Sequence, residues 1–280
     1  EAEVEAEAEA EVEQGASSDS SFDELGLCSD LLRAAAAQGW HVPTPVQLRA
    51  IPAILAGADC WVEAPTGSGK TAAFALPLLQ RLLQTPTGSS TPRGGAHVQV
   101  LVLSPTRELA TQTAETFRAL GRAAQGLDER GQYGATGDTG GKVPLKVVAV
   151  HGGVPYEPQR AALRGGAAVL VATPGRLLEL IESEAVQLSS TSSLLLDEAD
   201  RLLAPAFAFE LDALLDALPP PAARQTLLFS ATFPYASRPK AARLLREREA
   251  TVRLRLGGGG SEGRGSAGSG REVGGGEGGG

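Results

Sequence analysis

The residues best suited to do chemistry in this chain run Ala64-Pro65-Thr66-Gly67-Ser68-Gly69-Lys70-Thr71. Lys70 puts a point charge where the outer phosphates of a nucleotide would lie, and the Thr71 hydroxyl is a ligand for Mg²⁺. Gly67 and Gly69 permit the tight backbone that side chains would obstruct. Ala64, Thr66 and Ser68 complete a loop whose N–H groups point at one spot. The apolar run Cys60-Trp61-Val62 before it reads as a strand, and Ala72–Leu76 after it reads as a helix whose N-terminus favours negative charge. The pattern departs from G-x-x-x-x-G-K-[ST] only at its first position, where Ala64 stands. A second constellation follows another apolar run, Leu194-Leu195-Leu196, which delivers Asp197-Glu198. One carboxylate there can hold Mg²⁺ beside a phosphate loop, and its neighbour can orient or deprotonate an attacking water. Together the two constellations predict a nucleoside triphosphate site.

Such groups need a frame, and the chain has material for one. With 280 residues, 42% of them hydrophobic, it can bury a substantial core. Residues 1–20 hold seven Glu and Asp19 and no Lys or Arg, which accounts for the whole formal charge of −8. The low pI therefore belongs to the N-terminal segment and does not argue against nucleic acid binding by the remainder. Two cysteines, Cys28 and Cys60, are too few for a zinc framework and are read as reduced, buried thiols. No apolar run reaches the ~18 residues of a membrane helix, and no basic-then-apolar leader opens the chain. The expectation is an intracellular protein with no membrane contact, of unknown compartment. Met is absent, position 1 included, so a fragment or processed product is expected.

Taken in order, residues 1–20 are expected to be a disordered acidic tail. Ser29-Asp30 are read as the cap of a helix through about Gln38 that stops at Gly39. Gly39–Gln47 is a rigid, proline-bearing turn with a buried Trp40, leading into a helix near Gln47. Residues 84–96 and 125–142 are polar or Gly-rich connections. Runs 98–103, 147–150, 168–172, 194–196, 225–229 and 252–256 read as strands, and 107–124 and 239–246 as helices. From Gly257 onward 14 of 24 residues are glycine, so no core can form there. Nearly every polar cluster falls just after a strand, where open parallel α/β sheets place their ligands. The expected fold is α/β: one doubly wound, mainly parallel sheet with helices on both faces, over residues 21–256.

Asp197-Glu198-Ala199-Asp200 is the name motif of the DEAD-box RNA helicases, and residues 22–256 resemble the first RecA-like P-loop domain of that family, motif after motif in family order. The resemblance implies that Phe22, 17 positions before Gly39, stacks on adenine, that Gln47 reads the adenine edge, and that Thr44 supports the loop. It implies ATP and Mg²⁺ as cofactors, with Lys70, Asp197 and Glu198 catalytic and Thr71 and Asp197 at the metal, partly through water. Pro105, Thr106 and Arg107, then Gly152 and Gly153, then Thr173, Pro174, Gly175 and Arg176 would contact the RNA backbone. Asp200, Ser230 and Thr232 would couple the nucleotide site to strand separation. Loop amides, hydroxyls and guanidinium groups suit phosphate contacts, and the scarcity of aromatics does not favour base-specific stacking. The family's second RecA-like domain and its arginine-rich motif have no counterpart after Thr232, so that domain is expected as a partner, in the longer protein or in trans. A non-catalytic ATP- or RNA-binding module is the alternative; a nucleotide kinase or transporter ATPase is disfavoured by the Gly39–Gln47 and Gly152-Gly153 motifs.

Overall fold

Val98–Leu103 shows how the sheet is built. Val100 and Val102 sink into one core, Leu101 and Leu103 into another, so the strand is buried on both faces, as a parallel strand between two helical layers must be. The computed structural model describes residues 21–84, 97–127, 144–246 and 251–256. The two terminal segments and most of the two loop expectations (84–96 and 125–142) lie outside the described residues.

The strands are β1 Asp59–Glu63, β2 Val98–Leu103, β3 Val147–Val150, β4 Ala167–Ala172, β5 Ser193–Asp197, β6 Gln225–Ser230 and β7 Thr251–Arg255. They form one sheet in the order β3-β4-β2-β5-β6-β1-β7, every pairing parallel. On one face pack α1 Ser29–Ala37, α2 Pro45–Leu55, α3 Lys70–Gln84 and α4 Arg107–Gln125. The other face carries α5 Tyr156–Ala162, α6 Pro174–Glu182, α7 Ala199–Leu202, α8 Ala208–Asp216 and α9 Arg238–Leu244. The register sets Asp197 opposite Phe229 and Glu63 opposite Ser230. The phosphate loop, Asp197-Glu198 and Ser230–Thr232 therefore leave the same edge of the sheet.

Three local expectations change. The cap of α1 is Cys28; Ser29 is already helical, and Asp30 instead pairs with Arg33 at 2.8 Å. Trp40 is half-buried rather than buried, because it faces the cavity described below. α5, α7 and α8 were not read from the sequence; each is short, and only one side of it meets the core.

The opposite end of the sheet is tied by Asp59, which is fully buried. Its Oδ1 accepts from Thr226 N at 2.9 Å and Arg246 Nε at 3.0 Å, and its Oδ2 accepts from Arg246 N at 2.7 Å. One carboxylate thus pins β1, β6 and the chain leaving α9.

Candidate functional site

The phosphate loop holds its shape through contacts of its own. Gly67 and Gly69 have φ of +79° and +91°, backbone that L side chains rarely adopt. Gln47, only 4% exposed, donates from Nε2 to Gly69 O at 3.1 Å and accepts at Oε1 from Thr44 N at 2.9 Å. A Cβ on Gly69 would lie 2.5 Å from Gln47 Nε2. Gln47 is thus first of all a brace between the start of α2 and the loop, a role the sequence reading did not foresee. Lys70, the first residue of α3, donates from Nζ to Ala64 O at 2.6 Å and Pro65 O at 3.0 Å. Burial draws its pKa below the ordinary lysine value, while Asp197, Glu198 and Asp200 push it back up. Pro65, Thr66 and Gly67 are exposed, whereas Ser68 Oγ is buried without a hydrogen-bond partner. Buried hydroxyls are normally satisfied, so Ser68 Oγ marks a place where an acceptor is wanted.

Beside the loop opens a cavity of ≈ 500 Å³ lined by Thr44, Gln47, Gly69 and Thr71 and by Trp40, His41 and Val42. The size suits a nucleoside. Phe22 is not among the lining residues. Its ring is 4% exposed within the core, in a 3-10 helix Phe22–Leu25 capped by Ser21, and the structure does not bring it to the cavity. Trp40 is the ring that does line it, and the Gly-Trp-His-Val run before the prolines is the signal that marks it.

Asp197 ends β5 at 4% exposure. Burial is the main reason its pKa is pushed up to about 6; Glu198 adds to the rise, while the Glu198 N–H (3.1 Å from Oδ1) and Lys70 oppose it. Glu198 makes the turn into α7 with φ 51° and ψ 53°, a left-handed conformation that costs a non-glycine residue ~1–3 kcal/mol. The turn aims the Glu198 carboxylate outward, where Oε2 accepts from Arg201 Nη1 at 2.8 Å. Arg201 was not singled out in the sequence. Asp200 Oδ2 accepts from Thr232 Oγ1 at 3.1 Å, joining the β5 and β6 loops. Ser230 joins differently: its carbonyl accepts from Ala64 N at 3.0 Å, while its buried hydroxyl has no partner. Among the described residues no three His, Cys, Asp or Glu converge as a metal cage. Mg²⁺ binds through one or two protein oxygens plus phosphates and water, and Thr71 and Asp197 carry oxygens of the kind it takes.

The remaining loops form a second strip on the same edge. Thr106 caps α4, its Oγ1 accepting from Leu109 N at 3.3 Å, and Pro105 is buried behind it. Arg107 is exposed, pairs with Glu108 at 2.5 Å, and lays its guanidinium where a Cβ on Gly153 would come within 3.0 Å. Gly153, at φ +80°, thus lets the β2 and β3 loops close on each other. Gln159 holds that loop, accepting from His151 N at 2.8 Å and donating to His151 O at 3.2 Å. Thr173 caps α6 without a side-chain bond, Pro174 is buried, and Gly175 is open to solvent. Arg176 differs from expectation: its side chain is 11% exposed, bonded to Glu179 and to Val154 O and stacked over Tyr156. It braces the strip rather than presenting its guanidinium.

Comparison with known proteins identifies the family. The DEAD/DEAH box helicase family model matches residues 44–239, and the chain belongs to that family. It is 41% identical over 221 residues to ATP-dependent RNA helicase dbp10 of Schizosaccharomyces pombe, covering 79% of this chain and 23% of that protein. To ATP-dependent RNA helicase DeaD of Escherichia coli it is 38% identical over 235 residues, 83% of this chain and 32% of that one. A crystal structure of a DEAD box protein from Methanococcus jannaschii matches with TM-score 0.65 and 30% identity, over 84% of this chain and 55% of that chain. The fold is the RecA-like α/β fold of a DEAD-box domain. The chain spans about a quarter to a third of these two curated relatives.

Proposed function

We propose that residues 21–256 form the ATP-binding domain of a DEAD-box RNA helicase, one that hydrolyses ATP and separates RNA strands when a second RecA-like domain faces it. The observation that supports this best is the convergence of Lys70, Asp197 and Glu198 from two separate strand ends, beside a loop braced by Gln47. Lys70 exchanges its carbonyl partners for phosphate oxygens, and Ser68 Oγ and the loop amides add donors. Mg²⁺, when bound, neutralises developing phosphate charge, with Thr71 and Asp197 as its protein oxygens. Glu198 orients or accepts a proton from the attacking water once it leaves Arg201. Adenine lies in the cavity against Trp40, with the unused N–H of the Gln47 amide within the same wall. Arg107, Thr173 and the amides around Gly152, Gly153 and Gly175 take the RNA backbone, and the Asp200–Thr232 contact links the two strips. In this reading an arginine finger comes from the facing domain. A finger contributes ~10³–10⁵ in rate, so hydrolysis should need the facing domain.

The test is ATP–Mg²⁺ titration of wild type and Lys70→Ala by calorimetry. A charge-assisted phosphate contact contributes ~1.5–3 kcal/mol, so affinity should fall about tenfold or more with the fold retained. Equal affinity in the two proteins would reject the site.

A further inference from the structure

The helix α4 starts at the proposed RNA strip and runs down to the far end of the sheet, and its polar face changes character on the way. Positions 107, 111, 118 and 122 are spaced by four, seven and four residues, so they share one face. Contacts show that this face follows β3, the last strand of the sheet: Thr111 Oγ1 meets His151 Nε2 at 3.4 Å, and Arg118 Nε donates to Val147 O at 3.3 Å. At the lower end α4 and β3 enclose a cavity of ≈ 270 Å³. Phe117, Leu145 and Val147 supply apolar wall, while Arg118, Arg122 and Lys146 supply three cations, and among the described residues no acidic side chain lines it. Arg118 is half-buried, and burial draws its pKa down, with Arg122 adding to the effect and Glu115 opposing it. Lys146 Nζ donates to the backbone carbonyl of Arg164 at 2.7 Å. The Arg122 guanidinium has no hydrogen bond or ion pair among the described residues, while its carbonyl accepts from Leu127 N at 2.9 Å.

Three like charges gathered around an apolar wall repel one another and are stabilised by an anion. The proposed function does not use this place. We propose that it is a second RNA subsite, in which the strand leaving the Arg107–Gly153 strip continues along α4 and sets phosphates on Arg122 and Lys146 and a base against the apolar wall. The distance agrees: from Arg107 to Arg122 is about 22 Å of helix, a span that a few nucleotides cover. An acidic protein segment would satisfy the charges too, but it would not account for the shared helix face that joins the cavity to the upper strip. The inference rests on RNA binding at that upper strip.

The test uses the whole chain and fluorescence anisotropy with single-stranded RNAs of about 4 and about 16 nucleotides, the ends of the ordinary range of single-strand site sizes. Arg122→Ala with Lys146→Ala should weaken binding of the longer RNA and leave the shorter unchanged. Each lost phosphate contact lowers the slope of log affinity against log salt by about 0.7, so the longer RNA should lose about 1.4. Lys146→Ala alone, at an exposed position, should lose about 0.7 and serves if the double variant does not fold. Equal slopes for wild type and variant on the longer RNA overturn the subsite while leaving the upper strip intact. If wild type binds neither RNA, the upper strip fails and the subsite with it. A polyglutamate peptide whose binding vanishes in the variant, beside unchanged binding of the longer RNA, would make the groove a protein site and reject the proposal.

Discussion

Replacing Asp197 by Asn should make the nucleotide-free protein more stable while removing its Mg²⁺-dependent nucleotide binding. The carboxyl is 4% exposed, and burial pushes its pKa from 3.8 to about 6. A group that binds its proton more tightly in the folded than in the unfolded protein lowers stability as pH rises between the two values, and the full cost is present above the folded pKa. A displacement of that size corresponds to about 3 kcal/mol. Asn keeps an oxygen for the Glu198 N–H and carries no charge, so the variant escapes this cost. For a domain of this size the gain is about 6–12 °C in Tm at pH 7.5. At pH 5, between the two pKa values, wild type has recovered part of the loss, and the advantage should shrink to roughly half. Urea unfolding at the two pH values, without nucleotide, measures it; calorimetry with ATP, with and without Mg²⁺, measures the other half of the trade. A variant less stable than wild type, or an advantage that does not change with pH, would refute the reasoning.

Gly69→Ala meets two obstacles, φ of +91° and Gln47 Nε2 at 2.5 Å. It should cost ~1–3 kcal/mol in urea unfolding and weaken ATP binding as the Gln47 brace is displaced. Arg246→Ala leaves Asp59 buried without its cation, and about 3–5 kcal/mol of unfolding free energy should be lost, part of it restored by adding Asp59→Asn. Glu198→Gln should leave ATP–Mg²⁺ affinity within a few-fold, since Lys70, Thr71 and Asp197 are untouched, and should abolish turnover when a second RecA-like domain is supplied. Turnover at the wild-type rate in that reconstituted enzyme would remove Glu198 from its role.

The inner strands β2, β4 and β5 were legible because they are nearly uninterrupted Val, Leu and Ala runs, as a parallel sheet covered on both faces requires; Val98–Leu103 begins and ends where its apolar run does. The phosphate loop and Asp197-Glu198 were legible because the demands on them are local: glycine torsions, a lysine at a helix start, carboxylates at a strand end. What stayed hidden depends on partners distant in sequence. Nothing around Arg176 says that Tyr156 and Val154 will enclose it, and nothing around Gln47 says that Gly69, 22 residues away, will take its amide. Phe22 shows the same limit from the other side. Its spacing to Gly39 suggested adenine stacking, but an aromatic ring next to Leu25 and Leu27 is drawn into the core by the same burial that orders the segment.

The charged groups of the site have partners within the chain. Lys70 rests on two carbonyls of its own loop, Glu198 on Arg201, Arg107 on Glu108 and Arg176 on Glu179. Each pairing spares a charge from being buried alone, and each must be exchanged when a ligand arrives, so only the difference between old and new partners contributes to affinity. The exposed pairs are cheap to break: Arg107–Glu108 and Glu198–Arg201 lie in solvent, where such pairs contribute ~0–1 kcal/mol. Lys70 is different, because its pKa is held down by burial and rises again as anionic charge approaches. Under the proposed function, phosphate therefore gains most at Lys70 and RNA meets little resistance at Arg107. Arg176, enclosed on three sides, is the cation of the proposed RNA strip that would have to leave its packing to bind. A variant that frees it, Glu179→Ala, should strengthen RNA binding if the guanidinium ever reaches the backbone, and should leave it unchanged if bracing is its whole role. Anisotropy on that one variant decides between them.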